Sequence, residues 1–282
     1  MQLTGLEFPK GLMRFAQLVK NEGVTLYAVG GSVRNTLLNL PISDIDICSA
    51  LRPEKVIELC RRNGLRVYPK GLAYGTVEIC WNGERYEHTT FRSDSYPDGG
   101  AHRPSSVNFS CSLEDDAFRR DFSVNALYVD VLTGRLIDPT GGVEDLQNRI
   151  LRTTSPDPHA VLADDGLRIL RLIRFAGELG FDIEPNTFEA AKQLSGNLKS
   201  ISSERIAAEL NKLLVCTLTE GTNKGSSRNL SVLIDTDIED IVAVHFVFKP
   251  CAAVRNNLRG KELLTCLVIF KAKVNAGGTN EL

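Results

Sequence analysis

Two aspartates, Asp44 and Asp46, stand one residue apart in LYAVGGSVRNTLLNLPISDIDICSA, residues 26–50. On a strand, alternate side chains share a face, so this spacing predicts two carboxylates about 7 Å apart on one side, with Ile45 and Ile47 on the other. Hard oxygen ligands of this kind suit Mg²⁺. A pair of such ions roughly 3.5–4 Å apart stabilises both the attacking and the leaving oxygen of an in-line displacement at phosphorus. Upstream, Gly30-Gly31 has no Cβ atoms to keep a phosphate away from the backbone, and Arg34 in the following helix can add a charge-assisted contact. Taken singly, a glycine turn is commonplace and an Asp-x-Asp strand is an ordinary solvated face. In this order and spacing they are the parts that metal-dependent transfer of a nucleotidyl group requires.

These residues need a frame. Residues 8–22 carry Leu12, Phe15, Leu18 and Val19 on one helical side, and an apolar strand, Leu26–Val29, precedes the glycine turn and a helix through about Leu38. DIDICSA reads as a strand, and PEKVIELCRRNG as a helix begun by Pro53 and closed by Gly64. GTVEICW and RYEHTTFR alternate around Asn82-Gly83 as a hairpin. Residues 93–112 are rich in Ser, Pro and Gly and read as a long mobile loop, and FSVNALYVD with RLIDPT reads as a further helix or strand pair around Thr133-Gly134. From about Pro158 to Leu214 the period is helical, and residues 219–229, TEGTNKGSSRN, form a polar linker. The expected division is 1–152, mixed α/β; 153–218, all helical; and 219–282, a short atypical end.

A second constellation follows. RRDFSVNAL, residues 119–127, sets Arg119 and Arg120 beside Asp121, with Asn125 four residues on. DDGLRILRLIRFAGELGF, residues 164–181, places Asp165, Arg168, Arg171 and Arg174 three apart on one helical stripe. The plain reading is a core helix with a solvated basic face; the sharper one is a polyanion lying along the arginines.

Gly-Gly about a dozen residues before an Asp-x-Asp strand matches the nucleotidyltransferase superfamily signature, in which a third carboxylate comes from a neighbouring strand; Glu87 in RYEHTTFR is the candidate. From about Val24 to Leu214 the chain resembles the class II tRNA nucleotidyltransferase (CCA-adding enzyme) and bacterial poly(A) polymerase family, on GGSVRN with DID, RRDFSVNAL, DPTGGVEDLQNRILR, DDGLRILRLIRFA and ERIAAELNKLL in family order. The resemblance implies an α+β fold: a nucleotidyltransferase head with a mixed β-sheet flanked by helices, then an all-α neck and body. It also implies catalysis by Asp44, Asp46 and Glu87, with Mg²⁺ on Asp44 and Asp46. Gly30, Gly31, Arg34, Arg120, Asp121, Asn125, Arg171 and Arg174 would bind the nucleotide, and Asp165 and Arg168 would read its base. Cytosine and adenine each carry an exocyclic amine that a carboxylate accepts from, where uracil and guanine present a carbonyl. The implied activity is template-independent addition or repair of the 3′-terminal CCA of tRNA from CTP and ATP, releasing pyrophosphate. Poly(A) synthesis, CC-only and A-only addition share these motifs, and a catalytically impaired nucleotide- or RNA-binding protein is the reading from another class.

The sequence departs from the family pattern in four places. Asn35 stands where an Asp is usual, removing a charge beside Arg34. Asp164 replaces a Glu. Gly166 replaces a Pro, which loosens the start of its helix. The last sixty or so residues do not resemble the family's tRNA-gripping body, though Lys249, Arg255, Arg259, Lys261, Lys271 and Lys273 make them locally basic.

A net charge of −2 over 282 residues excludes coating of nucleic acid by bulk charge but leaves room for a local basic groove. Seven cysteines without a C-x-x-C pair read as reduced thiols, and four scattered histidines carry no metal-ligand spacing. The start lacks a basic segment followed by an apolar run, and Leu263–Phe270 is too short to span a bilayer, so the expected location is the cytoplasm, away from membranes.

Overall fold

The computed structural model describes residues 5–81, 83–96, 106–109 and 112–219. Asn82 of the hairpin turn, the middle of the 93–112 loop, and the linker from Glu220 with the basic end beyond it lie outside the described residues. Two compact units emerge, one running to Val161 and the other beginning at Leu162.

The first unit is built on a seven-stranded mixed sheet. Its strands are β1 (Tyr27–Val29), β2 (Asp46–Ser49), β3 (Arg66–Gly71), β4 (Thr76–Trp81), β5 (Glu84–Thr90), β8 (Tyr128–Asp130) and β9 (Leu136–Ile137), in the order β3-β4-β5-β2-β1-β8-β9. The β4–β5 hairpin is the expected one: Trp81 pairs with Glu84 across a two-residue loop, and Gly83 takes φ +86. β2 lies parallel to β5, and β1 is antiparallel to both β2 and β8. FSVNALYVD and RLIDPT prove to be a strand pair, β8 and β9, preceded by a 3-10 turn over Ser123–Asn125. The ends of the 93–112 loop are also strands, β6 (Ser93–Ser95) and β7 (Ser106–Asn108), which form an antiparallel ribbon.

One row of side chains crosses the whole sheet. Tyr68 pairs with Glu78, Glu78 with Glu87, Asp46 with Val29, Val29 with Tyr128, and Tyr128 with Ile137. Asp46 and Glu87 sit one step before the Ile47–His88 pair of the parallel strands, so they are neighbours in that row. The β1/β8 half of this face is covered. Val29, Cys48, Phe91, Ala126 and Tyr128 pack with Ala117 and Leu113 of α4 (Leu113–Phe118), and Tyr128 meets Tyr27 and Phe91 edge-on. The β2/β5 part keeps Asp46 and Glu87 exposed. On the other face Ala28, Ile47, Val77, Ile79 and His88 are fully buried, and α3 (Pro53–Arg62), begun by Pro53 as expected, packs on β3 and β4. α1 (Lys10–Asn21) buries Leu12, Phe15, Ala16 and Val19, matching the sequence periodicity. Among the described residues Cys48, Cys60 and Cys80 are free thiols, and no helix is long and apolar enough to cross a membrane.

The second unit is helical: the end of α6 (Pro158–Asp164), α7 (Leu167–Leu179), α8 (Pro185–Gln193) and α9 (Ser203–Thr219), with a 3-10 segment over Ser195–Ser200. α7 ends at Gly180, whose φ of +63 is the left-handed helix stop that glycine favours. Gly166 precedes α7 with ordinary helical angles; its contribution is closeness rather than looseness, because a Cβ there would sit 3.1 Å from Asn197 Cβ.

Candidate active site

The strand carrying the acids is shorter than the alternation suggested. β2 begins at Asp46, and Asp44 lies in the irregular exposed segment leading into it. Leu40 and Ile42 of that segment are exposed, so no apolar face pins it onto the sheet as a strand. The carboxylates nonetheless feel one another. Asp46 has its pKa raised, first by the protein atoms crowding its carboxyl and then by the negative charge of Glu87, with Asp44 adding to the rise and Arg120 opposing it. Glu87 is therefore beside Asp46 both by register and by charge. Among the described residues no three His, Cys, Asp or Glu side chains form a ready-made metal cluster.

The glycine turn follows directly on Val29, the partner of Asp46 in the sheet. Gly30 takes φ +75, a conformation natural to glycine, and its N–H donates to Leu127 O at 3.2 Å. A Cβ on Gly30 would stand 3.8 Å from Asn125 O and 4.0 Å from an Arg120 terminal nitrogen, NH1; one on Gly31 would stand 3.9 Å from Arg34 NH2. Arg34, in α2 (Gly31–Leu37), is buried, and its NH1 donates to Asn125 Oδ1 at 2.6 Å. Asn125 Nδ2 in turn donates to Asp121 Oδ1 at 3.2 Å, an oxygen that also accepts from Phe122 N. Asp121 is buried beneath Asn125 and supports it. The Ser123–Asn125 turn is fixed from behind by Gly142 of α5 (Gly142–Asn148), where a Cβ would lie 2.2 Å from Ser123 O, and by Ser123 Oγ donating to Asp145 at 2.6 Å.

Asn35 lacks the charge of the usual Asp but still engages Arg34. Its Oδ1 accepts from Arg34 Nε at 3.1 Å and NH2 at 2.9 Å, while its Nδ2 donates to Pro41 O at 2.8 Å. The amide thus orients Arg34 without a charge and ties it to the segment leading to Asp44; a carboxylate has no proton to give Pro41.

Beneath Asp46 and Glu87, on the buried face, His88 Nε2 and Ser49 Oγ lie 2.8 Å apart, and Leu51 N donates to Ser49 Oγ. Burial pushes the imidazole from its ordinary 6.5 down to about 4. Between those values the unfolded chain binds a proton that the folded chain refuses, so stability is full above pH 6.5 and is lost as pH falls towards 4, by about 3 kcal/mol in all. Urea titrations between pH 7.5 and 4.5 should show this slope in the wild type and a shallower one in His88→Gln; parallel curves would exclude His88 as its source.

In the helical unit, Asp165 Oδ1 accepts from Leu167 N at 3.0 Å and Oδ2 from Arg205 at 3.0 Å. Arg168 is buried and pairs with Asp164 at 3.7 Å. The arginine stripe is not a solvated basic face. Arg174 is buried, donating to Glu209 at 2.8 Å and Glu178 at 2.6 Å over the ring of Phe175, and half-buried Arg171 lies 4.0 Å from Glu209. These two arginines join α7 to α9. Glu209, Arg205 and Asp116 were missed in the sequence; for Asp116 the signal was there, three and four residues before Arg119 and Arg120.

Residues 26–152 match the family described as "Poly A polymerase head domain", and residues 180–221 that described as "Probable RNA and SrmB- binding site of polymerase A". The fold is that of a nucleotidyltransferase head. The CCA-adding enzyme of Geobacillus sp. (strain WCH70) is 42% identical over 227 residues, covering 79% of this chain and 52% of that protein. The CCA-adding enzyme of Bacillus stearothermophilus, solved in complex with CTP, superposes with a TM-score of 0.71 at 29% identity, covering 94% of this chain and 70% of that one. The Thermotoga maritima CCA-adding enzyme complexed with tRNA-CCA gives 0.68 at 25% identity, with 89% and 57% covered. This chain belongs to the family of tRNA nucleotidyltransferases (CCA-adding enzymes) and bacterial poly(A) polymerases. It spans about half the length of the curated relatives it matches.

Proposed function

We propose that the protein adds or repairs the 3′-terminal CCA of tRNA, using CTP and ATP and releasing pyrophosphate, with Mg²⁺ held by Asp44 and Asp46. The observation that carries this reading is that Asp46, beside Glu87 in the sheet, pairs with Val29 immediately before the Gly30 turn that Arg120 faces. The donor set fits a hard cation: all are carboxylate oxygens, and after burial it is the negative charge of Glu87 and Asp44 that raises Asp46, a repulsion a divalent ion would relieve. When bound, magnesium polarises the triphosphate oxygens and the attacking hydroxyl. The chain's own residues do the rest. The Gly30-Gly31 backbone admits the phosphates, and Arg34 and Arg120 hold them by charge. The RNA 3′-hydroxyl, losing its proton to solvent, then forms a bond to the α-phosphorus as the bond to the β,γ-diphosphate breaks and pyrophosphate leaves. Glu87 keeps a third carboxylate beside Asp46. Asp165 has two partners, yet a carboxylate offers about four acceptor positions, so it can still take a bond from an exocyclic amine beside Arg168. Arg171 and Arg174 keep α7 and α9 together. The reading is of an enzyme that works in the cytoplasm.

The test offers Mg²⁺ and labelled CTP or ATP separately with tRNA transcripts ending before CCA or after CC, and with an unrelated RNA. Ordered C, C, A addition is the expected result. ATP-only growth on any RNA would show poly(A) synthesis instead, and nucleotide binding without incorporation would show an impaired enzyme. In the same assay Asp165→Ala should narrow the preference for CTP and ATP over UTP by about tenfold, in line with ~1–3 kcal/mol per good base contact. An unchanged ratio removes Asp165 from base reading.

A further inference from the structure

A long cation does not hold its place beside a turn unaided. Arg120 follows α4, and Asp116, inside that helix, is completely buried beneath it. The two oxygens of Asp116 divide their work. Oδ1 accepts from Arg119 Nε at 2.8 Å and pairs with its NH2 at 2.7 Å. Oδ2 accepts from Arg120 Nε at 3.2 Å and NH2 at 2.9 Å, and from the Tyr128 hydroxyl at 2.8 Å. Tyr128 Oη also accepts from Arg120 Nε at 2.9 Å, and its ring lies 5.3 Å from the guanidinium carbon. The alternation of charge continues outward, from Arg119 to Asp94 at 3.7 Å and from Asp94 to Arg92 at 3.1 Å.

The orientation follows from which nitrogens are used. Asp116 and Tyr128 grip the Nε and NH2 edge of Arg120. The remaining nitrogen, NH1, is the one 4.0 Å from where a Gly30 Cβ would be. Burial alone would raise the Asp116 pKa; the guanidiniums of Arg120 and Arg119 and the Tyr128 hydroxyl outweigh that and bring it to about 2, so the grip is charged at neutral pH.

We propose that Asp116 is a positioning residue for nucleotide transfer, fixing Arg120 so that NH1 already faces the phosphate-binding turn before the nucleotide arrives. Presetting a flexible arginine removes the ordering cost that binding would otherwise bear. The inference rests on the reading that Arg120 contacts the nucleotide.

A double-mutant cycle on the full chain tests it, with single-turnover incorporation of CTP in Mg²⁺ on a tRNA transcript lacking CCA. Asp116→Asn should lower kcat/KM for CTP by about 10- to 100-fold, the scale seen when a supporting hydrogen-bond partner is lost. Arg120→Ala should lower it at least as much, and the double variant should fall within about twofold of Arg120→Ala. Additive losses, or a folded Asp116→Asn protein with wild-type kinetics, overturn the positioning role and leave Arg120 as a nucleotide ligand. An Arg120→Ala protein with unchanged kinetics overturns both. Should Asp116→Asn fail to fold, Tyr128→Phe, which deletes only the bridging hydroxyl, carries the same cycle. A loss of several-fold that vanishes in the Arg120→Ala background supports the proposal, and no loss, or equal losses in both backgrounds, refutes it.

Discussion

Asp46→Asn is expected to abolish nucleotide transfer, with a loss of about a thousandfold or more and no loss of fold. Asp46 is exposed at the first position of β2, and its carboxylate takes no part in the core beneath. Asparagine keeps the size and shape of the side chain, and the raised pKa reflects first the protein atoms around the carboxyl and then the charge of Glu87. In the proposed reaction the Asp46 carboxylate holds the metal, whose stabilisation of the displacement is worth several kcal/mol, and ~4 kcal/mol corresponds to about a thousandfold in rate. Circular dichroism and the urea midpoint should match the wild type, while incorporation of CTP falls to background. A variant that transfers nucleotides within tenfold of the wild type would take Asp46 out of catalysis.

The second large effect concerns stability. Glu209 on α9 is buried and accepts from Arg174 at 2.8 Å and Lys212 at 3.1 Å, with Arg171 at 4.0 Å. Burial alone would raise its pKa, but the charges of Arg174 and Arg171 and the bond from Lys212 hold it below the usual range. Glu209→Ala leaves the buried Arg174 guanidinium with Glu178 on its own helix but without the acid that links it to α9. Stranding one member of a buried pair costs about 3–5 kcal/mol, so a loss near 3 kcal/mol is expected, read as a fall in the urea midpoint at unchanged slope. Glu209→Gln, which keeps an acceptor, should lose less. A loss under about 1 kcal/mol in Glu209→Ala would mean that Glu178 alone satisfies Arg174.

Much of the scaffold was legible because its signals are local. Pro53 and Gly64 bracket α3, the apolar spacing of Leu12, Phe15 and Val19 gives α1, and alternation on either side of Gly83 gives the β4–β5 hairpin. The candidate site was legible as a set of residue types, and Glu87 does stand next to Asp46. What one-dimensional spacing misjudged was company. Arg174 looked solvent-facing because Glu209, its partner, lies 35 residues away on another helix. Asn35 looked like a lost charge because its partner Pro41 O is a backbone atom that no side-chain pattern reveals. Asp44 looked like part of a strand because alternation alone does not say where pairing begins. Asp121, which the resemblance counts among the nucleotide-binding residues, accepts from Asn125 Nδ2 and Phe122 N.

The parallel alignment of β2 with β5 has a kinetic corollary. Asp46 meets Glu87 only when two segments about forty residues apart have docked in one alignment. A slip of one position would leave the two acids on opposite faces of the sheet, and a slip of two would part them by about 7 Å. Contacts that close so long a span form late on the route to the native state, after helices and hairpins. Recovery of enzymatic competence during refolding should therefore trail the return of helical signal, making turnover a clock for the final registration of the sheet.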